Sequence, residues 1–114
     1  MPDVVFVFGS NLAGRHGRGS ALEALQHWGA KYGVGYGRQG QSYAIPTKGE
    51  NLEVLPLEDI QMWVNIFLAY TNRHPELTFK VVKIGCGLAG YKEQEIMPFF
   101  TDAPVNVDLP RGWR

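Results

Sequence analysis

Apolar residues along the chain fall into runs that predict alternating strands and helices. Residues 4–8 are a continuous β-branched and aromatic run that ends at Gly9, a pattern typical of a strand buried on both faces of a parallel sheet. Residues 20–28 then carry apolar side chains at helical spacing, namely Ala21, Leu22, Leu25 and Trp28. The first strand is therefore predicted to lead into a helix through a glycine-rich turn.

The middle of the chain is predicted to hold a loop, a short strand and a long helix. Residues 29–40 contain five glycines, a composition that favours an irregular loop. Residues 42–45 are predicted to form a strand that Pro46 stops. Residues 57–73 are the clearest helix, because an apolar stripe runs along them, acidic residues occupy the first turn and Pro75 follows the end.

The last third of the chain completes the pattern. Residues 79–84 are predicted to form a strand, which a glycine turn connects to a short helix near residues 93–100. Residues 105–107 are expected to add an edge strand. This order of elements predicts a single α/β domain over residues 1–114, a three-layer α/β/α sandwich with a mostly parallel sheet.

Composition restricts the kinds of partner. The 114 residues are 45% hydrophobic, which suits one domain with a real core. Eleven basic and eleven acidic residues give no net charge, so no overall field draws the molecule to nucleic acid or an anionic membrane. The single cysteine, the lack of a cationic leader and the absence of a long apolar run predict a cytoplasmic protein without a membrane partner. The oligomeric state stays open.

Two glycine-rich segments follow predicted strands and are the strongest candidates for chemistry. We define the first glycine loop as residues 9–20 and the second glycine loop as residues 85–91. Glycines allow backbone N–H groups to face an anion, and a following helix offers its positive N-terminus. Ligands of such sheets lie beyond the carboxyl ends of the strands. Two loops that converge there suit a diphosphate, although glycines that only permit tight turns are the alternative for each loop.

Neither loop has a familiar nucleotide-binding motif. No Gly-Lys-Ser/Thr follows, which excludes a Walker loop, and the glycine spacing does not fit a dinucleotide fingerprint. The first strand ending in Asn11, the Gly14-x-x-Gly17-x-Gly19 start of the helix, and the Gly-Cys-Gly-Leu-Ala-Gly-Tyr turn after Ile84 instead resemble a macro domain, the ADP-ribose-binding fold. The likeness is to a short, divergent phage or bacterial member.

The resemblance implies a role for individual residues. Asn11 would contact the distal ribose, Gly17 and Gly19 would approach the ribose and the phosphates, residues 87–90 would wrap the diphosphate, and Tyr91 would cover the ribose. The identity of the base is left open, because no acidic residue matches the family's adenine-binding position. The ligand implied is ADP-ribose or a related product of NAD metabolism, and no cofactor is required.

Other side chains complete the candidate site. Arg15 and Arg18 flank the first glycine loop and either pair with a phosphate or are solvated, with Arg18 the stronger candidate. Thr47 and Lys48, after the short strand, are predicted to form a third wall. Cys86 lies where a helix start could stabilise a thiolate, but a small buried filler is favoured. Three scattered histidines with one cysteine predict no metal site. The full set of predicted ligand-binding residues is Gly9, Ser10, Asn11, Gly14, Gly17, Arg18, Gly19, Thr47, Lys48, Gly85, Cys86, Gly87, Leu88, Ala89, Gly90 and Tyr91.

Three functions remain open at this point. The first is binding of an ADP-ribose-like nucleotide, in order to sequester or to read it. The second is hydrolysis of an ADP-ribosyl ester or phosphate, with Asn11 and His16 as catalytic residues; the alternative for His16 is a hydrogen bond to a backbone carbonyl. The third is a protein-interaction domain with purely structural glycines. Residues 29–40 are a candidate lid.

Overall fold

A five-stranded sheet forms the centre of the protein in the computed structural model, which describes residues 3–114. Its spatial order is β2-β3-β1-β4-β5. Strand β1 pairs in parallel with β3 and β4, and β5 pairs in parallel with β4, whereas β2 runs antiparallel to β3. The strands are β1 Val4–Asn11, β2 Gly37–Gln39, β3 Ser42–Lys48, β4 Thr78–Val81 and β5 Val107–Asp108. The predicted α/β class is confirmed, with a mixed sheet.

The central strand β1 buries both of its faces, which explains its uninterrupted apolar sequence. Val5 and Val7 belong to a large apolar cluster together with residues of the long helix. Phe6 and Phe8 point the other way, into a smaller cluster that contains Ala21 of the first helix. Alternate side chains of a strand face opposite sides of the sheet, so helices pack against both faces of β1.

Three helices accompany the sheet. They are α1 Gly19–His27, α2 Leu57–Asn72 and α3 Glu93–Ile96, the last continued by a 3₁₀ helix over Met97–Phe100. Both long helices lie within one or two residues of their predicted bounds. None of the helices within residues 3–114 has the length and apolar character needed to cross a membrane.

The prediction that Pro46 stops the strand of residues 42–45 is wrong, because this strand, β3, continues through Pro46 to Lys48. A proline lacks the N–H that a sheet requires and is tolerated at an edge or an irregularity. Strand β2 flanks β3 only as far as Ala44, and the pairing with β1 shifts register between Ser10 and Asn11, beside Pro46. The proline therefore lies where the ladder is already interrupted.

Smaller differences occur elsewhere. The predicted irregular loop over residues 29–40 contains the edge strand β2. Strand β4 ends at Val81, three residues earlier than predicted, because the chain turns at residues 84–85. Pro98 lies in the 3₁₀ helix that replaces the second half of the predicted last helix, since proline cannot donate the hydrogen bond of an α-helical interior.

Candidate ligand-binding site

A cavity of about 490 Å³ lies beyond the carboxyl ends of β1 and β3. Its volume is within the range of roughly 300–1,000 Å³ usual for small-molecule sites. The two strands supply its floor, and the start of α1 and four loops supply its walls. The lining residues are Gly9, Ser10, Asn11, Arg15, Gly17, Arg18, Ala21, Tyr32, Thr47, Lys48, Leu52, Leu88 and Ala89.

Strand order brings part of the predicted site together. Nine predicted residues line the cavity, namely Gly9, Ser10, Asn11, Gly17, Arg18, Thr47, Lys48, Leu88 and Ala89. The remaining predicted residues do not line it: Gly14, His16, Gly19, Gly85, Cys86, Gly87, Gly90 and Tyr91. Arg15, weighed from the sequence as a phosphate contact but not included in the predicted set, lines the cavity as well. Sequence reasoning missed Ala21, Tyr32 and Leu52. Tyr32 was marked only by its place in a glycine-rich segment, and Leu52 had no signal.

Asn11 shapes the first glycine loop. Its side-chain oxygen accepts a hydrogen bond from the backbone N–H of Arg15 at 2.9 Å, and its amide donates to the Arg15 carbonyl at 3.0 Å. These two bonds close the turn that follows β1 and hold Arg15 at the cavity wall. One amide hydrogen of Asn11 stays available to a ligand.

Three cations concentrate positive charge in the cavity. Arg15, Arg18 and Lys48 all line it, and no acidic residue is among the lining residues. Within residues 3–114, none of the three side chains takes part in a salt bridge or hydrogen bond. Because the whole protein is electrically neutral, this local excess is a property of the cavity, and it favours an anionic occupant.

The N-terminus of α1 adds to the same field. Gly17, Arg18 and Ala21 line the cavity, so the first turn of the helix borders it. No side chain caps this terminus, and its first turn contains no acidic residue. The first N–H groups of a helix lack intrahelical partners and carry partial positive charge, which makes this end suitable for a phosphate.

Residues 29–40 pack directly on the first glycine loop. The Gly33 N–H donates to the Gly14 carbonyl at 2.8 Å, and the Ser10 hydroxyl donates to the Gly35 carbonyl. A Cβ on Gly14, whose φ is +72°, would lie 2.3 Å from a Gly33 backbone atom. A Cβ on Gly35 would lie 2.4 Å from the Asn11 carbonyl oxygen. A glycine is therefore required at position 14 by the close approach of the two backbones. The same contacts hold residues 29–40 beside the cavity, which Tyr32 lines.

The expectation that His16 lies beside the ligand is not met. Its side chain is fully buried, and its Nε2 is hydrogen-bonded to the Val34 carbonyl at 2.9 Å. The ring makes edge contacts with Phe8 and Tyr32. Among the described residues its Nδ1 has no hydrogen-bond partner. This geometry matches the alternative interpretation, in which the histidine binds a backbone carbonyl, and it places the ring in the core between loop and sheet.

The second glycine loop contributes apolar side chains to the cavity. Only Leu88 and Ala89 of this loop line it. The helix that follows, α3, has four residues and carries Glu93 and Glu95 in its first turn; acidic groups there compete with any anion. The two loops do meet, since a Cβ on Gly9 would lie 3.7 Å from the backbone nitrogen of Gly85.

Two residues of the second loop have structural roles. The Tyr91 hydroxyl donates to the Leu55 carbonyl at 2.6 Å, and its ring packs on the core, so it does not cover the cavity. The Cys86 thiol is half-buried and contacts the Ile84 carbonyl. Burial, with a smaller contribution from Glu93, raises the pKa of Cys86, which disfavours the reactive thiolate.

Comparisons with known proteins define the fold alone. No protein-family model matches this chain, and no curated protein matches it. A solved structure of a protein of unknown function from Bacteroides thetaiotaomicron is similar, with a TM-score of 0.63 and 16% sequence identity. The alignment covers 92% of this chain and 86% of that one. The two chains therefore share a fold over most of their lengths.

Proposed function

We propose that the protein binds a phosphate-bearing nucleotide of the ADP-ribose type in the cavity beside the first glycine loop. The observation that carries the proposal is the set of three unpaired cations, Arg15, Arg18 and Lys48, in one cavity without a carboxylate. Charge-assisted hydrogen bonds to phosphate oxygens are short and strong. A diphosphate carries enough negative charge to use two or all three of these cations.

The first loop supplies the proposed positions of the ligand. In the proposed position, the phosphates lie at the N-terminus of α1, near Gly17 and between Arg18 and Lys48. All three residues line the cavity, and so does the first turn of α1. The remaining amide hydrogen of Asn11 then faces the adjoining ribose. Thr47 and Ser10 form the floor and hold the loops in place through hydrogen bonds to backbone carbonyls.

We further propose that the fold is a three-layer sandwich of the macro type. Support comes from the two apolar clusters on opposite faces of β1 and from the parallel pairing of β1 with both β3 and β4. The sequence around the first loop resembles that family. A cytoplasmic location belongs to the same proposal, because Cys86 is a free thiol, as is usual in a reducing compartment.

Binding has more support than hydrolysis. The cavity lining contains no histidine, cysteine, aspartate or glutamate, so it offers no side chain of the kind that usually acts as a general base. His16, the candidate base named from the sequence, is fully buried and bonded to the Val34 carbonyl, which supports a structural role for it. The proposed activity is therefore to sequester a free nucleotide or to recognise the same group attached to another molecule.

Calorimetry with ADP-ribose tests the proposal. Wild-type protein should bind, and Arg18→Ala combined with Lys48→Ala should weaken binding by at least about 100-fold, since hydrogen bonds to charged groups contribute about 1.5–3 kcal/mol each and two of them are removed. Affinity should also fall as salt is added. Arg111→Ala is the matched control, because Arg111 is exposed and does not line this cavity.

Two results would contradict the proposal. The absence of heat with wild-type protein would leave the glycines as structural turns. Unchanged affinity in the double variant would place the ligand elsewhere.

A further inference from the structure

Three exposed apolar side chains converge on the cavity from three separate segments. Tyr32, Leu52 and Leu88 all line it, and their exposed fractions are 64%, 40% and 63%. We call these three residues the apolar rim. Exposed apolar residues are ordinary when they are scattered, but three that line one cavity concentrate apolar surface there, as is usual at a small-molecule site.

Most polar atoms of the neutral side chains that line the cavity are already hydrogen-bonded. The Ser10 hydroxyl donates to the Gly35 carbonyl, and the Thr47 hydroxyl donates to the Ser10 carbonyl at 3.3 Å. Both polar atoms of the Asn11 side chain bind the backbone of Arg15. Among the lining side chains, the groups without a partner within residues 3–114 are therefore the three cations, the Tyr32 hydroxyl and one amide hydrogen of Asn11, which the proposed function assigns to the ribose. No Asp, Glu or Gln lines the cavity.

The cations and the apolar rim can recognise different parts of a nucleotide. Bases are told apart through donors and acceptors on their edges, which are read by side chains such as Asn, Gln, Asp and Glu. The flat face of a base has no such code, and stacking on it tolerates any base. Tyr32 and the two leucines of the apolar rim offer surface for a face, whereas the cations are suited to phosphates.

We infer that the site recognises its nucleotide by the phosphates and by the face of the base, without discriminating between bases. The inference rests on the proposed function, since it assigns the base of the same ligand to the apolar rim. It predicts that adenine, guanine, cytosine and uracil nucleotides compete for one site. The phosphates lie toward Arg18 and Lys48, and the base lies toward Tyr32, Leu52 and Leu88.

A ligand panel tests this inference on the full chain by calorimetry. ADP, GDP, CDP and UDP should bind within about tenfold of one another, and each should bind more tightly than inorganic pyrophosphate, because stacking adds to phosphate affinity. A preference of more than about tenfold for one base would require readout of its edge and would overturn the inference. Pyrophosphate binding without any gain from a nucleoside would overturn it as well.

The two proposals fail in different ways. If neither pyrophosphate nor any nucleotide binds, the phosphate site itself is absent and both proposals are overturned. If pyrophosphate binds in a manner that depends on Arg18 and Lys48, the proposed function stands, and the four nucleoside diphosphates decide the inference about the base.

Variants of the apolar rim provide a second test. Leu88→Ala and Tyr32→Ala should each weaken ADP binding by about three- to tenfold while pyrophosphate affinity stays unchanged, and Tyr32→Phe should restore the ADP affinity because it keeps the ring. Met62→Ala is the matched control, since Met62 is 48% exposed on α2 and does not line the cavity. Wild-type ADP affinity in both rim variants would overturn the inference.

Discussion

The first and second glycine loops follow neighbouring parallel strands but have different surroundings. The first loop continues from the eight-residue strand β1 and leads into the nine-residue helix α1, whose first turn contains no acid. The second follows the four-residue strand β4 and leads into the four-residue helix α3, whose first turn contains Glu93 and Glu95. The first loop brings Arg15 and Arg18 to the cavity, and the second brings Leu88 and Ala89.

This difference shows that similar glycine patterns can lie in different surroundings. A glycine turn is suited to an anion when uncapped N–H groups and cations surround it, and both are present around the first loop. The second loop brings no cation to the cavity and contributes Leu88 and Ala89. In the cavity, the first loop therefore forms a cationic wall and the second loop forms an apolar one.

The largest difference between the two loops should appear when one glycine of each is replaced by alanine, which adds a methyl group. Gly14→Ala should lower the free energy of unfolding by about 3 kcal/mol, because the positive φ and the contact with Gly33 both resist a Cβ. Gly87→Ala should change it by less than about 0.5 kcal/mol, since nothing lies within 4 Å of the added atom. Urea denaturation measures both. Equal effects would show that the close contact of the first loop is absent in solution.

A smaller effect is expected from the histidine beneath the first loop. His16→Ala should lower the free energy of unfolding by about 2–3 kcal/mol, because it removes buried ring contacts and the bond to the Val34 carbonyl. His27→Ala is the control, since that histidine is exposed in the last turn of α1. If His16→Ala is as stable as wild type but binds the ligand more weakly, His16 belongs to the binding site.

The smallest effect concerns the polar contacts after the second loop. Hydrogen bonds from the Trp113 indole at 2.9 Å and the Lys83 ammonium at 3.0 Å lower the pKa of Glu93. A carboxyl whose folded-state pKa is lowered stabilises the protein above its ordinary value of 4.5, and this contribution is lost as the pH falls through the folded value.

Glu93→Gln should therefore reduce the loss of Tm between about pH 6 and pH 3 slightly, because the glutamine has no charge to neutralise. Thermal melts across that range measure it. Glu23→Gln is the control, since Glu23 is exposed on α1 and forms no salt bridge with any described residue. If wild type and Glu93→Gln lose the same amount of Tm over this pH range, the Glu93 carboxylate does not contribute to stability.

Much of the fold followed from local patterns, and less of the site did. The apolar stripe of α2 predicted a helix of nearly the right length, because burial of one helix face leaves a repeating pattern. The apolar run at residues 4–8 predicted the start of β1, but the strand continues past Gly9 to Asn11, because Ser10 and Asn11 are held by pairing with β3. The edge strand β2 had no such pattern: its three residues are stabilised by pairing with β3. The buried state of His16 could not be predicted either, because its partner Val34 is 18 residues away.

The α/β class, the central strand, the two main helices and the glycine turns after strands could be read from the amino-acid sequence, because all of them depend on neighbouring residues. The surroundings of each glycine turn follow from the tertiary fold. The order β2-β3-β1-β4-β5 places Asn11 beside Lys48 and brings the second loop against Gly9. Contacts between distant segments thus give the cavity one cation-lined wall and one apolar wall. The charge and shape of a cavity depend on residues that are far apart in the sequence, so local patterns do not predict them.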